Sequence, residues 1–226
     1  MYRRDFVIST CACVAGFSTS SLAVGRVPGQ KKAIEPDLAA LAEGKGLKVF
    51  NCSVSSLNDR KGIRLRDRSG GGVAYLEGVE FADGAIEFDV RGKDVQGQSF
   101  VGVAFHGLDE KTYDAVYFRP FNFRTEDPVR RIHAVQYISH PIYNWQKLRT
   151  EQPEKYEKPI SPAPDPNDWF HARVVVASPK VSVFVNDAKE PCLVVDQLSD
   201  RKKGLVGLWV GNTSSGDFAN LKIVPV

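Results

Sequence analysis

From Leu47 to the C-terminus, apolar and polar residues alternate with period two, and turn residues interrupt the alternation at short intervals. In AIEFDVR, Ile86, Phe88 and Val90 share one face, and Glu87, Asp89 and Arg91 the other. SFVGVAFHG sets Val101, Val103 and Phe105 opposite Gly102, Ala104 and His106. In YDAVYFRP, Val116 and Phe118 alternate with Tyr117 and Arg119. After a turn at Arg124–Pro128, RIHAVQYIS reads as the next strand, with His133 and Tyr137 on one side and Gln136 on the other. FHARVVVA, KVSVFV, GLVGLWVGN and FANLKIVPV complete the series, and no helical periodicity of comparable length competes. The pattern predicts an all-β fold, a two-sheet antiparallel β-sandwich occupying residues 47–226.

Two segments depart from the alternation. Ser139 to Asp168 is long, rich in proline and charge, and carries Tyr143, Trp145 and Tyr156. Solvated linkers are poor in aromatics, so this segment is expected to be an ordered flap over one face, with a helical turn at Trp145–Leu148. The N-terminus places Arg3-Arg4 before a short apolar run and small residues ending at Ala23. That is the layout of an export signal, twin-arginine-like, spanning residues 1–23 with cleavage after about Ala23, followed by a linker over 24–46. The expected location is periplasmic or secreted. The apolar run is too short to span a bilayer, so no membrane span is expected in the mature chain.

Composition narrows the partners. With 226 residues, 42% of them hydrophobic and 25% charged, the chain suits one globular domain. A net charge of +3 without a long basic run gives no reason to expect nucleic acid. Removal of the signal takes Cys11 and Cys13 with it, leaving Cys52 and Cys192, which either pair or remain as buried thiols.

GVEFADGAIEFDVRG, SFVGVAFHG and YDAVYFRPFNF, together with the C-terminal WFHARVVVASPKVSVFVNDAKEPCLVV and GLVGLWVGNTSSGDFANLKI, resemble the concanavalin A-like lectin/glucanase superfamily. The similarity is to its laminin-G-like and 3-keto-disaccharide-hydrolase-like branches. It covers roughly residues 47–224 and implies a jelly roll, but the superfamily includes lectins, hydrolases and adhesion modules. Glucanases of the group carry a Glu-x-Asp-x-Glu pattern; here Glu87 and Asp89 are followed by Arg91, so the pair is assigned no catalysis. The resemblance also implies one structural calcium, for which Glu77, Glu80 and Asp217 are the candidate ligands.

The polar face supplies the remaining candidates. Aromatic planes, forked polar groups and small residues are what a sugar-binding groove needs. Tyr117, Arg119, His133, Tyr137, Trp145 and Trp209 are therefore the candidate ligand-binding residues. Arg119, Arg124, Arg130, Arg131 and Arg149 would favour an anionic glycan if three of them converge. Neither a Gly-x-Ser-x-Gly nucleophile nor a zinc motif is present, which leaves His106, His133 and Asp114 as candidate proton carriers. Three functions stay open on these residues: carbohydrate binding with no required cofactor, a glycoside hydrolase or lyase, and a protein-interaction module.

Overall fold

The structure, a computed structural model, describes residues 32–43, 45–68 and 70–226. The expected export signal, with Arg3, Arg4, Cys11 and Cys13, lies outside the described residues. Among the described residues no helix is long and apolar enough to cross a membrane.

Two seven-stranded antiparallel sheets pack face to face. The front sheet runs β1 (Leu47–Phe50), β4 (Gly72–Phe81), β13 (Gly204–Val210), β6 (Val101–Gly107), β7 (Tyr113–Phe118), β8 (Val135–His140) and β9 (Glu157–Lys158). The back sheet runs β12 (Leu193–Asp196), β11 (Lys180–Val185), β10 (Phe170–Ala177), β5 (Gly84–Arg91), β14 (Ser215–Pro225), β3 (Gly62–Asp67) and β2 (Cys52–Ser56). The inner faces hold the apolar rows that the alternation predicts: Val101, Val103, Phe105, Val116 and Phe118 from the front, Ile86, Phe88 and Val90 from the back, all fully buried. Phe118 meets Phe170 edge-to-face across the gap, with ring centroids 5.1 Å apart. Burying each such ring is worth about 2–3 kcal/mol, so the inner rows dominate the fold's stability.

Three short helices decorate the sheets: α1 (Leu38–Ala42), α2 (Pro128–Ile132) and α3 (Trp145–Glu151). Ile34 bridges Ile223 by backbone hydrogen bonds of 2.8 and 2.9 Å, and Leu38 is 4% exposed, so part of the segment read as linker packs onto the back sheet. α2 replaces the beginning of a predicted strand. Asp127 accepts from the Val129 and Arg130 amides and Pro128 starts the helix, so the chain stays helical to Ile132 and the strand begins only at Val135.

The 139–168 segment is ordered. Asn144 caps α3 through the Lys147 amide at 2.9 Å, and β9 then pairs with β8 to become the sheet edge. Tyr156 tucks against Tyr137 on the inner side, while α3 stays outside on the front face.

Where β12 hands the chain to β13, a buried polar cluster ties the two sheets together. Asp114 is fully buried and accepts from Ser199 Oγ (2.6 Å) and Arg201 (2.8 Å). Burial pushes its carboxyl up, but His106, Ser139 and Ser199 together with the Arg201 charge outweigh it and hold the group below the usual value.

Cys52 and Cys192 are free thiols, each pushed up to about 12 by burial. Cys52 begins β2 and Cys192 precedes β12, at opposite edges of the back sheet. Six interstrand steps of ~4.8 Å separate those edges by roughly 29 Å. A disulfide needs Cα atoms within ~7 Å, so these two do not pair.

Candidate functional site

The outer face of the front sheet carries a cleft of about 580 Å³. Its floor comes from β7 and β13. Tyr113 and Tyr117 point outward because Val116 and Phe118 occupy the alternate, inward positions, and Trp209 on β13 points the same way. The Trp209 ring lies over Gly211, where a Cβ would collide with the indole, so glycine makes the room. Tyr117 and Trp209 rings are 5.0 Å apart, and Trp209 Nε1 donates to the Tyr113 hydroxyl at 3.0 Å. α3 forms one rim with Trp145, 48% exposed, and the 96–100 loop forms another with Phe100.

A polar network lies behind this floor. Arg119 is 4% exposed and donates to the Tyr117 hydroxyl (2.6 Å), to Gln136 Oε1 and to the His133 carbonyl (3.0 Å). Its guanidinium also lies over the rings of Tyr117 (4.8 Å) and Phe100 (5.6 Å). Tyr117 in turn donates to Gln136 Oε1 at 2.7 Å.

Glu157, 1% exposed, joins the cations. It takes Arg149 bidentately at 3.0 and 2.8 Å, approaches His133 Nδ1 at 2.8 Å and lies 3.7 Å from Arg119. Burial is the largest influence on Arg119, which it lowers, and on Tyr117, which it raises. It also lowers His133 and His140, so both imidazoles are neutral at pH 7.

Five of the six candidate ligand-binding residues, Tyr117, Arg119, His133, Trp145 and Trp209, line this cleft. Tyr137 does not. It pairs with Val116 in register, so its ring points into the sandwich, fully buried, and its hydroxyl accepts from Leu198 N at 3.1 Å. Gln136, opposite Tyr117, takes the outward place. His133 reaches the cleft without strand alternation, because it is the C-cap of α2.

The other proton-carrier candidates, His106 and Asp114, are fully buried between the sheets, away from the cleft. Alternation would turn His106 outward with Ala104. Instead the β13–β6 register shifts between Leu205 and Gly207, and His106 takes φ +49°. Its ring swings inward to Ala82 O (2.7 Å) and Gln197 (3.1 Å).

Of the five arginines, Arg119, Arg130 and Arg149 line the cleft. Arg124 pairs instead with Asp165 at 3.2 Å, and Arg131 donates to Thr125 O.

The calcium candidates do not converge. Asp217, on the back sheet, is taken by Arg64 (2.5 and 2.8 Å) and Arg91 (2.8 and 3.1 Å), while Glu80, on the front sheet, pairs with Lys203 at 2.9 Å. Glu77 is exposed on β4, and among the described residues no group of three or more acids, histidines or cysteines is placed to hold a metal. These side chains do not fit a structural calcium. Glu87 and Asp89 lie on the outer face of the back sheet, and Asp89 is taken by Arg60, His171 (2.8 Å) and Asn220 (2.8 Å).

Sequence reading did not single out Tyr113, Gln136, Phe100 or Glu157. Tyr113 and Gln136 carry a usable signal, since both share the outward parity of Tyr117 once the register is known. Glu157 carries none, because its place depends on β9 returning to pair with β8.

No family model and no curated protein matches the chain. Solved structures do match in fold. The carbohydrate binding module CBM66 from Bacillus subtilis superimposes with a TM-score of 0.57 at 16% identity, covering 79% of this chain and 95% of that one. A Bacillus subtilis protein of unknown function with a galectin-like fold gives 0.60 at 10% identity, covering 87% and 97%. The exoplasmic/lumenal domain of VIP36, bound to Ca²⁺ and Man3GlcNAc, gives 0.54 at 11%, covering 87% and 89%. At these identities the likeness is one of fold alone: the chain shares a two-sheet antiparallel β-sandwich with these structures.

Proposed function

We propose that this chain is an exported carbohydrate-binding domain that holds an oligo- or polysaccharide in the front-sheet cleft. The observation that carries the reading is the makeup of the lining: the rings of Tyr117, Trp209, Trp145 and Phe100 beside the guanidiniums of Arg119, Arg130 and Arg149. Pyranose C–H faces stack on aromatic planes, and fixed polar groups around them set orientation. Three arginines in one lining favour an anionic glycan over a neutral one. Fold analogy supports the same ligand class, since CBM66 is a carbohydrate binding module and the VIP36 domain holds a mannose-containing glycan. A hydrolase or lyase draws less support, because two of its three proton-carrier candidates, His106 and Asp114, are enclosed between the sheets and only His133 lines the cleft.

A glycan array probed with the purified protein tests this reading. We expect binding that falls about tenfold or more in Trp145→Ala and Trp209→Ala, the loss of one stacked ring. Trp145 is half-exposed, so its removal leaves the fold intact. Absence of binding to every glycan, neutral and acidic, would refute the proposal.

A further inference from the structure

The polar groups of the cleft are unequally spent. The side-chain oxygens of Asn122 and Asn144 in its lining, and of Gln136 and Glu157 behind it, are taken by the protein itself. Asn122 Oδ1 takes Arg130 Nε (3.3 Å), and Asn144 Oδ1 takes the Lys147 amide (2.9 Å). Gln136 Oε1 takes both Tyr117 and Arg119, and the two oxygens of Glu157 take Arg149. No Asp or Glu lines the cleft.

Donors remain. Arg130 uses Nε and one terminal nitrogen on Asn122 and Phe121 O, and Arg149 uses Nε and one terminal nitrogen on Glu157. Each keeps a second terminal nitrogen with no acceptor among the described residues. The Tyr113 hydroxyl receives the Trp209 indole N–H, a group that only donates, so its own proton is free to donate. Arg119 likewise only donates, which fixes the Gln136 amide orientation and leaves its buried Nε2 without an acceptor.

A neutral sugar hydroxyl brings a proton of its own that needs an acceptor, whereas a deprotonated oxyanion only accepts. The charge balance points the same way, with three guanidiniums against the single carboxylate of Glu157. On the reading of the cleft as a glycan site, we propose that its sugar carries an oxyanion, a carboxylate or a sulfate, seated on the free guanidinium edges of Arg130 and Arg149 beside His133. The seat is fixed before the ligand arrives. Glu157 clamps Arg149, whose guanidinium lies 5.2 Å from the centre of the Trp145 ring, and Phe121 O with Asn122 holds Arg130. Pre-set forks lose little side-chain entropy on binding.

Matched probes test this by calorimetry: an oligogalacturonate against its carboxyl-reduced form, and dextran sulfate against dextran. We expect at least one charged member to bind about tenfold or more tightly than its neutral twin. The preference should collapse in Arg130→Gln and in Arg149→Gln, and persist in Arg124→Gln, whose arginine lies outside the cleft. Preference in the first pair alone identifies a carboxylate, and in the second alone a sulfate. Thermal melting of each variant verifies folding, and two separate arginines keep the test decisive if one variant unfolds. Equal binding of charged and neutral twins would overturn the oxyanion seat while leaving the glycan site standing. So would an equal loss in Arg124→Gln, which would indicate diffuse charge attraction. Failure to bind any glycan would remove the site and the seat together.

Discussion

Replacing Asp114 with alanine probes the joint between the two sheets. The wild-type carboxylate is fully enclosed and receives Ser199 Oγ at 2.6 Å and Arg201 at 2.8 Å. Its removal leaves the Arg201 guanidinium, whose side chain is only 18% exposed, with Ser139 Oγ as its remaining partner at 3.1 Å. Breaking a buried pair from one side costs about 3–5 kcal/mol, and the residual exposure of Arg201 sets the expectation near the lower end, ~3 kcal/mol. For a domain of this size each kcal/mol lowers the melting temperature by about 2–4 °C, so Asp114→Ala is expected to melt about 6–12 °C below wild type in a calorimetric scan at pH 7.

The pH dependence carries a sign as well. Folding depresses the Asp114 carboxyl, so its contribution is complete above the unfolded value of ~3.9 and is lost as the pH falls through the lower folded value. Asp114→Asn removes that titration, and its stability should fall less steeply than wild type below about pH 4. A melting temperature within about 2 °C of wild type for Asp114→Ala, or an unchanged acid slope for Asp114→Asn, would refute the assignment of this cluster as the joint.

Two further expectations follow from the placement of charged groups and from the N-terminal sequence. Because Asp217 is taken by two arginines and Glu80 by a lysine, chelator should leave the melting temperature unchanged; a drop of several degrees would require a metal site outside these residues. Mass spectrometry of the exported protein should find its N-terminus near Val24, and a chain still beginning at Met1 would contradict the export signal.

The period-two pattern made the sandwich legible because the inner faces are apolar along most of each strand, the Asp114 cluster excepted. Ile86, Phe88 and Val90 face Phe118 and its neighbours as alternation requires. It failed where backbone geometry breaks the period. His106 turns inward at a register shift, a local irregularity that no residue in FHG announces. The strand through RIHAVQYIS was half legible: Val135 to His140 is a strand, but Asp127-Pro128 starts a helix that carries Arg130 and delivers His133 by a cap. Reading the segment as one strand grouped His133 with Tyr137, yet a helix cap and an inward-facing strand position obey different rules. The long segment's three aromatics correctly signalled order, while the return of β9 and the junction role of Glu157 depend on long-range pairing that local sequence does not encode.

The chain's three tryptophans allow the central claim to be read in one spectrum. Trp145 and Trp209 line the cleft, whereas Trp169 lies at the back sheet, stacked with Arg60 and Arg91 at 4.5 and 4.8 Å. The measurement is a titration of ¹⁵N-labelled protein with the glycan that binds most tightly on the array, following the three indole N–H signals. A glycan held in the cleft shifts the Trp145 and Trp209 signals in proportion to occupancy and leaves Trp169 in place. Movement of Trp169 alone, with Trp145 and Trp209 stationary at saturation, would contradict it.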